Sequence, residues 1–186
     1  FGFNGMSQLA MGTFDDVTAI SKIAVNTHLA GAAGTFAGAV VSRLMGGKTD
    51  VIMMLNGALA GLVAITAEPL TPTPLAAVFI GAVGAIIMYF GTKMLESFGL
   101  DDVVGAIPVH MFAGIFGTLI VPATNSDTSF GTQFVGTISV VLFSFVLSYV
   151  VFLAMKSTIG LRVSKEAERL GTDKAEIGVQ AYAIRD

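Results

Sequence analysis

His110 stands in the stretch DDVVGAIPVHMFAGIFGTLIVPATN, residues 101–125, an otherwise apolar run. Counted from Asp102 it lies eight residues along the chain. At helical rise that is about 12 Å, close to the middle of a hydrocarbon layer roughly 30 Å thick. A neutral imidazole can accept a hydrogen bond on one nitrogen, donate on the other, and relay a proton between them. Two readings compete. In the first the ring packs inside a helix bundle and bonds a carbonyl of the next helix. In the second it lines a path for a small polar solute, the reading favoured for an ionisable group at membrane depth. Pro108, two residues earlier, predicts a bend that aims the ring. Ala106, His110, Gly114 and Gly117 fall at helical spacing, which predicts a face with open space beside the imidazole.

The elements that would position such a group are apolar helices. Mean hydropathy is +0.80, 54% of the 186 residues are hydrophobic and 12% are charged, a balance outside the range of soluble globular domains. Long apolar segments run over residues 17–46, 51–67, 75–95, 103–123 and 134–155, five candidate spans. Residues 1–11, FGFNGMSQLAM, are about half a span and predict that further sequence lies upstream. No charged segment precedes an apolar one at the start, so that start does not read as a signal peptide. Residues 1–159 are therefore expected to form a transmembrane region, a truncated helix followed by five spans. Residues 160–186 are expected to form a polar tail with a short solvated helix near Glu166 to Arg169. The fold class expected is an all-α integral membrane protein.

Loop charge sets the direction. Arg43, Lys48 and Lys93 lie at one end of the spans, and Lys156, Arg162, Lys165, Arg169, Lys174 and Arg185 follow the last. The loops GTFDD, EPLTPTP and PATNSDTSFGTQ carry neither Lys nor Arg. That alternation predicts a multi-pass protein with a cytoplasmic C-terminus. Lys22 is the one basic residue out of place, and near a helix start it can snorkel outward. Small residues at Ala30, Gly34 and Gly38 and at Gly57 and Gly61 predict close helix packing. His28, beside the first of these faces, is expected to make an interhelical hydrogen bond. Asp101 and Asp102 are placed to cap the helix that follows.

Other chemistries are not supported. With no cysteine there are no disulfides and no thiolate metal sites. No second histidine stands at metal-ligand spacing, no glycine-rich phosphate loop follows a strand, and no nucleophile sits beside a base, so no enzyme, metal site or cofactor is expected. At net charge −3, with scattered basic residues, nucleic acid is excluded as a partner. A solute pathway, or a scaffold whose glycine faces only pack helices, remains.

FGFNG at 1–5, VNTHLAGAAG at 25–34, LNGALAGLVAITA at 55–67, DDVVGAIPVHMFAGIFGTL at 101–119, and GLRVSKEAERLGTD with GVQAY in the tail occur in one order along the whole chain. In these motifs the sequence resembles the C-terminal half of the ammonium transporter family (Amt/Mep/Rh). The resemblance implies part of an eleven-helix bundle, from the end of helix six through helix eleven, in a homotrimer of the inner or plasma membrane with one narrow pore per subunit. It implies that His110 is the second of two pore histidines, Phe3 one of two phenylalanines closing the outer mouth, and Ser7 a hydroxyl that recruits substrate. Substrate would be ammonium or ammonia, in contact with the bilayer, and a PII-type cytoplasmic regulator is a possible partner. An Rh-like gas channel or an ammonium sensor signalling through the tail is the alternative within the family. Two positions depart from the family pattern: Gly105, where many members carry an acid, and Met111, where glycine commonly follows the histidine. The resemblance also implies that the other histidine and phenylalanine belong to the first half of the fold.

Overall fold

The computed structural model describes residues 1–181; Tyr182 of the GVQAY motif and Arg185 of the basic tail lie outside the described residues. Among the described residues every regular element is helical, as the composition predicts. A four-residue helix α1 (Gly2–Gly5) runs into a 3-10 turn (Met6–Gln8). Four long elements follow: α2 (Phe14–Gly46), α3 (Val51–Thr66), α4 (Pro74–Ser97), and a π-helical turn (Ile107–Phe112) continuing as α5 (Ala113–Ile120). Then come α6 (Phe130–Thr158), α7 (Lys165–Leu170) and a final π-helical turn (Asp173–Ile177). Three of these, α2, α4 and α6, are long and apolar enough to cross a membrane, while α3 and the helix over Ile107–Ala123 are shorter apolar helices. The chain forms two compact units, Phe1–Ile138 and Ser139 onward.

The starts of α2, α3 and α4 are each fixed by a side-chain cap. Thr13 and Asp16 form a reciprocal capping box at α2, Asp50 Oδ1 accepts the Ile52 and Met53 N–H groups at α3, and Thr73 Oγ1 accepts Ala76 N–H ahead of Pro74 at α4. Within the apolar helices the hydroxyls turn back on their own backbone: Thr35 to Gly31, Thr66 to Leu62, Thr92 to Met88 and Thr118 to Gly114. Such bonds satisfy a polar atom without water.

Backbone contact holds α2, α3 and α4 together. A Cβ placed on Gly34 would collide with the carbonyl of Gly57, one on Gly61 with that of Ala30, and one on Gly81 with the backbone of Ala30. In a bilayer, where burying apolar area from water is not a driving force, this close approach is what small residues contribute. Around the seam lie two clusters, Met53, Ala60, Met88, Tyr89, Val109 and Ala113 in one, and Ala30, Ala64, Ile65, Ala77 and Ile80 in the other.

Polar side chains pin the loops at one end of this unit. Asn26, fully buried, donates both amide hydrogens, to Pro69 O at 3.0 Å and Pro72 O at 2.9 Å. Glu68 accepts Leu70 and Thr71 N–H groups and, at 2.9 Å, the Asn125 amide. Thr27 accepts the buried Asn4 amide at 3.1 Å. The interhelical bonds expected of His28 are made by its neighbours Asn26 and Thr27. His28 itself is exposed, its ring 5.9 Å from that of Phe1. One helical position separates the buried from the exposed face here, and the histidine falls on the exposed side.

Candidate functional site

The segment bearing His110 begins with an accounting of backbone donors. Gly105 N–H bonds Asp102 O, the Ala106 and Ile107 N–H groups bond the two oxygens of the Asp102 carboxylate at 2.9 and 2.8 Å, and Val109 N–H bonds Gly105 O. Pro108 has no N–H to satisfy. The capping expected of the Asp101–Asp102 pair is thus carried by Asp102, while Asp101 is exposed. Because Asp102 delays the helix to residue 107, Pro108 occupies the first turn, where a missing donor costs nothing, and does not bend the middle of a span. The departure from regular α-geometry comes instead as the π-helical winding of Ile107–Phe112.

Gly105 has a specific reason to be glycine. Its φ is +72°, in the left-handed region, and a Cβ there would stand 2.8 Å from the Asn56 amide nitrogen. That amide donates to Val104 O at 3.0 Å, tying α3 to the segment before the π-helical turn. An acid at this position would displace that bond.

The helix has two faces. Pro108, Val109, Ala113 and Gly117 are buried, whereas Ala106, Ile107, His110 and Met111 are exposed. On the buried side Gly91 of α4 makes room for Phe112, and Gly117 sits on the backbone of Ala64 in α3. Gly117 therefore serves packing and does not clear space above His110 as its spacing suggested. Gly114 does remain open: a Cβ there meets nothing nearer than Val63 Cγ1 at 3.5 Å. Neither ring nitrogen of His110 takes part in a hydrogen bond among the described residues. Met111, 43% exposed, lies beside it on the open side.

Phe3 and Ser7 come together at the other candidate position. Ser7 Oγ donates to Phe3 O at 3.4 Å, one helical turn back, and Phe3 presents its ring at 80% exposure. With the hydroxyl proton turned to the backbone, the oxygen lone pairs of Ser7 face outward as acceptors. This segment is tied to α2 by the Asn4–Thr27 bond and by the Gln8 amide on Asp16 Oδ1 at 2.9 Å. No hydrogen bond or ring contact joins Phe3 or Ser7 to His110 among the described residues. The anchors Asn4, Thr27 and Asn26 were missed by sequence reasoning, although an Asn-Thr pair inside an apolar helix, beside a second asparagine in the FGFN motif, carries the signal. Among the described residues no group of His, Asp and Glu is placed to hold a metal ion.

Comparison with known proteins identifies the family. The sequence pattern of the Ammonium Transporter Family matches residues 1–182. An ammonium transporter Amt2 of Archaeoglobus fulgidus is 39% identical, over 98% of this chain and 42% of its own. A solved structure described as a sensor Amt protein superimposes with a TM-score of 0.85 at 32% identity, over 94% of this chain and 45% of that one. The crystal structure of Candida albicans Mep2 does so with a TM-score of 0.74 at 27% identity, over 86% of this chain and 40% of that one. The chain thus spans about two-fifths of the length of the relatives it matches. With the matched pattern running nearly end to end over an all-helical, apolar fold, the chain belongs to the ammonium transporter family, whose members named here are transport and sensor proteins of the membrane and not enzymes.

Proposed function

We propose that the chain contributes part of a membrane path for ammonium or ammonia, with His110 lining that path, Phe3 at its outer mouth and Ser7 receiving the ion. The observation that carries this reading is the exposed face of the Ile107–Phe112 turn, where the His110 ring is free of intramolecular hydrogen bonds while Pro108, Val109, Ala113 and Gly117 pack on the opposite face. An exposed aromatic face attracts a cation through its quadrupole, and the outward lone pairs of Ser7 replace part of its hydration. Desolvating a charged ammonium completely is costly, so the ion hands its proton to water at the mouth before the neutral amine passes the apolar section, and the neutral imidazole accepts or donates a hydrogen bond as the amine goes by. Residues 1–159 would lie in the inner or plasma membrane with residues 160–186 on the cytoplasmic side, in a homotrimer whose tail meets a PII-type regulator.

His110→Ala in the complete transporter, reconstituted in liposomes, tests the reading. Losing one hydrogen-bonding contact of about 1.4 kcal/mol lowers ammonium flux roughly tenfold, or relaxes selectivity against potassium by a similar factor. Unchanged flux and selectivity would remove His110 from the path. A sensing role is the second reading, favoured by the likeness to the structure described as a sensor Amt protein. It expects a cytoplasmic partner whose affinity for the tail changes with ammonium concentration, measurable by pull-down with and without the ion.

A further inference from the structure

Among the described residues, the segment just before the His110 turn takes one hydrogen bond from outside itself. Its donor is Asn56, 9% exposed, on the face of α3 between Met53 and Ala60, which pack with Val109 and Ala113 in one apolar cluster. A polar group in such a setting must find its partner in the protein, and the Asn56 Nδ2 donates to Val104 O at 3.0 Å. We infer that Asn56 is a positioning residue for His110: by holding Val104 O it fixes the turn at Gly105 and, through it, the angle at which the π-helical turn presents the imidazole. The bearing on transport rests on the reading of His110 as part of the path; the bearing on the ring rests on geometry alone.

Packing does not fix this segment. Val103 and Val104 are 86% and 68% exposed, so no apolar side chain anchors the residues that lead into Gly105. The other hydrogen bonds here stay within the segment and the turn that follows: Gly105 N–H to Asp102 O, Ala106 and Ile107 N–H to the Asp102 carboxylate, and Val109 N–H to Gly105 O. Bonds of that kind shape the segment but let it swing as a unit. Gly105, at φ +72°, is the joint about which it would swing, since a residue without Cβ has the widest backbone freedom. The Asn56 amide closes that joint twice over. It bonds the carbonyl immediately before Gly105, and its nitrogen lies 2.8 Å from where a Cβ of residue 105 would stand, filling the space beside the glycine.

Beyond the joint, Pro108 and Val109 are buried, Pro108 against Gly91 of α4 and Val109 in the cluster with Met53 and Ala60. Apolar contacts are non-directional, so they keep this face inward while tolerating a small rotation of the turn. A hydrogen bond is directional and selects one rotation. His110 is on the opposite, exposed face, where a rotation of the turn becomes a displacement of the ring nitrogens. A functional side chain without hydrogen bonds of its own takes its precision from the residues that hold its backbone.

The complete transporter is prepared with isotopically labelled histidine and its imidazole nitrogen resonances are recorded, those of His110 being the ones missing from His110→Ala. Asn56→Leu, close to asparagine in shape but without a donor, and Asn56→Ser, too short to reach Val104 O, are both expected to shift the His110 resonances. Asn26→Ala, which removes a buried amide from the α3–α4 loop, is expected to leave them in place. Flux per folded molecule is expected to fall in both Asn56 variants by up to the roughly tenfold expected of His110→Ala, and to fall no further when Asn56→Leu is combined with His110→Ala. His110 resonances that stay in place in both Asn56 variants, or that move as far in Asn26→Ala, overturn the inference and leave the transport reading standing. A flux loss in Asn56→Leu that adds in full to that of His110→Ala overturns it as well, because Asn56 would then act on the path by itself. Resonances that shift while neither the Asn56 replacements nor His110→Ala change flux support the positioning and remove His110 from the path, so the two failures are told apart.

Discussion

Gly81 and Gly114 are the same residue in opposite situations. At Gly81 an added Cβ would fall on the backbone of Ala30, whereas at Gly114 the nearest atom is a valine methyl at 3.5 Å. The first belongs to the α2–α3–α4 seam, where the chain has no choice but glycine. The second belongs to the open side of the helix that carries His110, where packing within this unit tolerates a methyl group. Small residues in apolar helices thus stand in two distinct settings here, one where backbones meet and one where a methyl group would fit.

The seam should break hardest. Gly81→Ala forces two helix backbones apart, and overpacking of a rigid contact costs about 3 kcal/mol. Thermal melting of the complete protein in detergent should show a drop of several degrees, and Gly81→Leu should leave no folded protein. A melting curve unchanged for Gly81→Ala would mean that the seam is looser than its contacts imply. Asn26→Ala comes next. It strips the donors from two carbonyls, Pro69 O and Pro72 O, and leaves them unpaired around a site that is fully buried. The expected cost is about 2 kcal/mol, read in the same melting experiment.

The seam is also what the sequence makes plainest. Glycine and alanine spaced at 30, 34 and 38, facing 57 and 61, announce their contacts because a helix repeats every three to four residues and only close approach demands so many small side chains. Candidate site residues were legible as residue types: a histidine at membrane depth, and an aromatic and a hydroxyl four apart. Their settings were less so. The start of the helix at Ile107, four residues later than the apolar run begins, depends on Asp102 reaching forward to two N–H groups. Hydropathy does not report such a cap. From that delay follow the first-turn place of Pro108 and the π-helical winding, and the winding in turn rotates later residues relative to an α-helical wheel drawn from His110. Gly114 and Gly117, three apart within α5, part company for another reason: Gly117 lies on the Ala64 backbone, whereas Gly114 meets only a Val63 methyl. His28 misled for a related reason: an interhelical bond was required at that height, but Asn26 and Thr27, one or two residues away, supply it.

The contrast between the two glycines is sharpened by Gly114→Ala and Gly117→Ala. Gly117→Ala pushes against the Ala64 backbone and should lower the melting temperature, with flux falling in step with folded protein. Gly114→Ala should hold stability to within about 0.5 kcal/mol. If the open side is the path, its flux per folded molecule should fall. Equal flux in the wild type and Gly114→Ala would take the path away from this face.

The tail offers the smallest effect and the opposite kind of order, with bonds in place of packing. Beyond α7, which Ser164 caps through Ala167 N–H at 3.1 Å, the turn over Asp173–Ile177 is closed by the Asp173 carboxylate accepting Ala181 N–H at 2.8 Å. That bond, with a second from Lys174 N–H, favours the charged form and holds the Asp173 carboxyl below its usual value. A lowered folded-state pKa means that the unfolded turn binds the proton more readily. The stabilisation is therefore present above the ordinary carboxylate pKa of about 3.9 and is lost as pH falls through the lower folded value. The Ala181 amide resonance should accordingly stay constant from neutral pH down to the ordinary carboxylate range and move only below it, while Asp173→Asn should abolish the pH step. A step at or above the ordinary value would show that the carboxylate is solvated and the turn open, so that the bond to Ala181 N–H does not order this part of the tail.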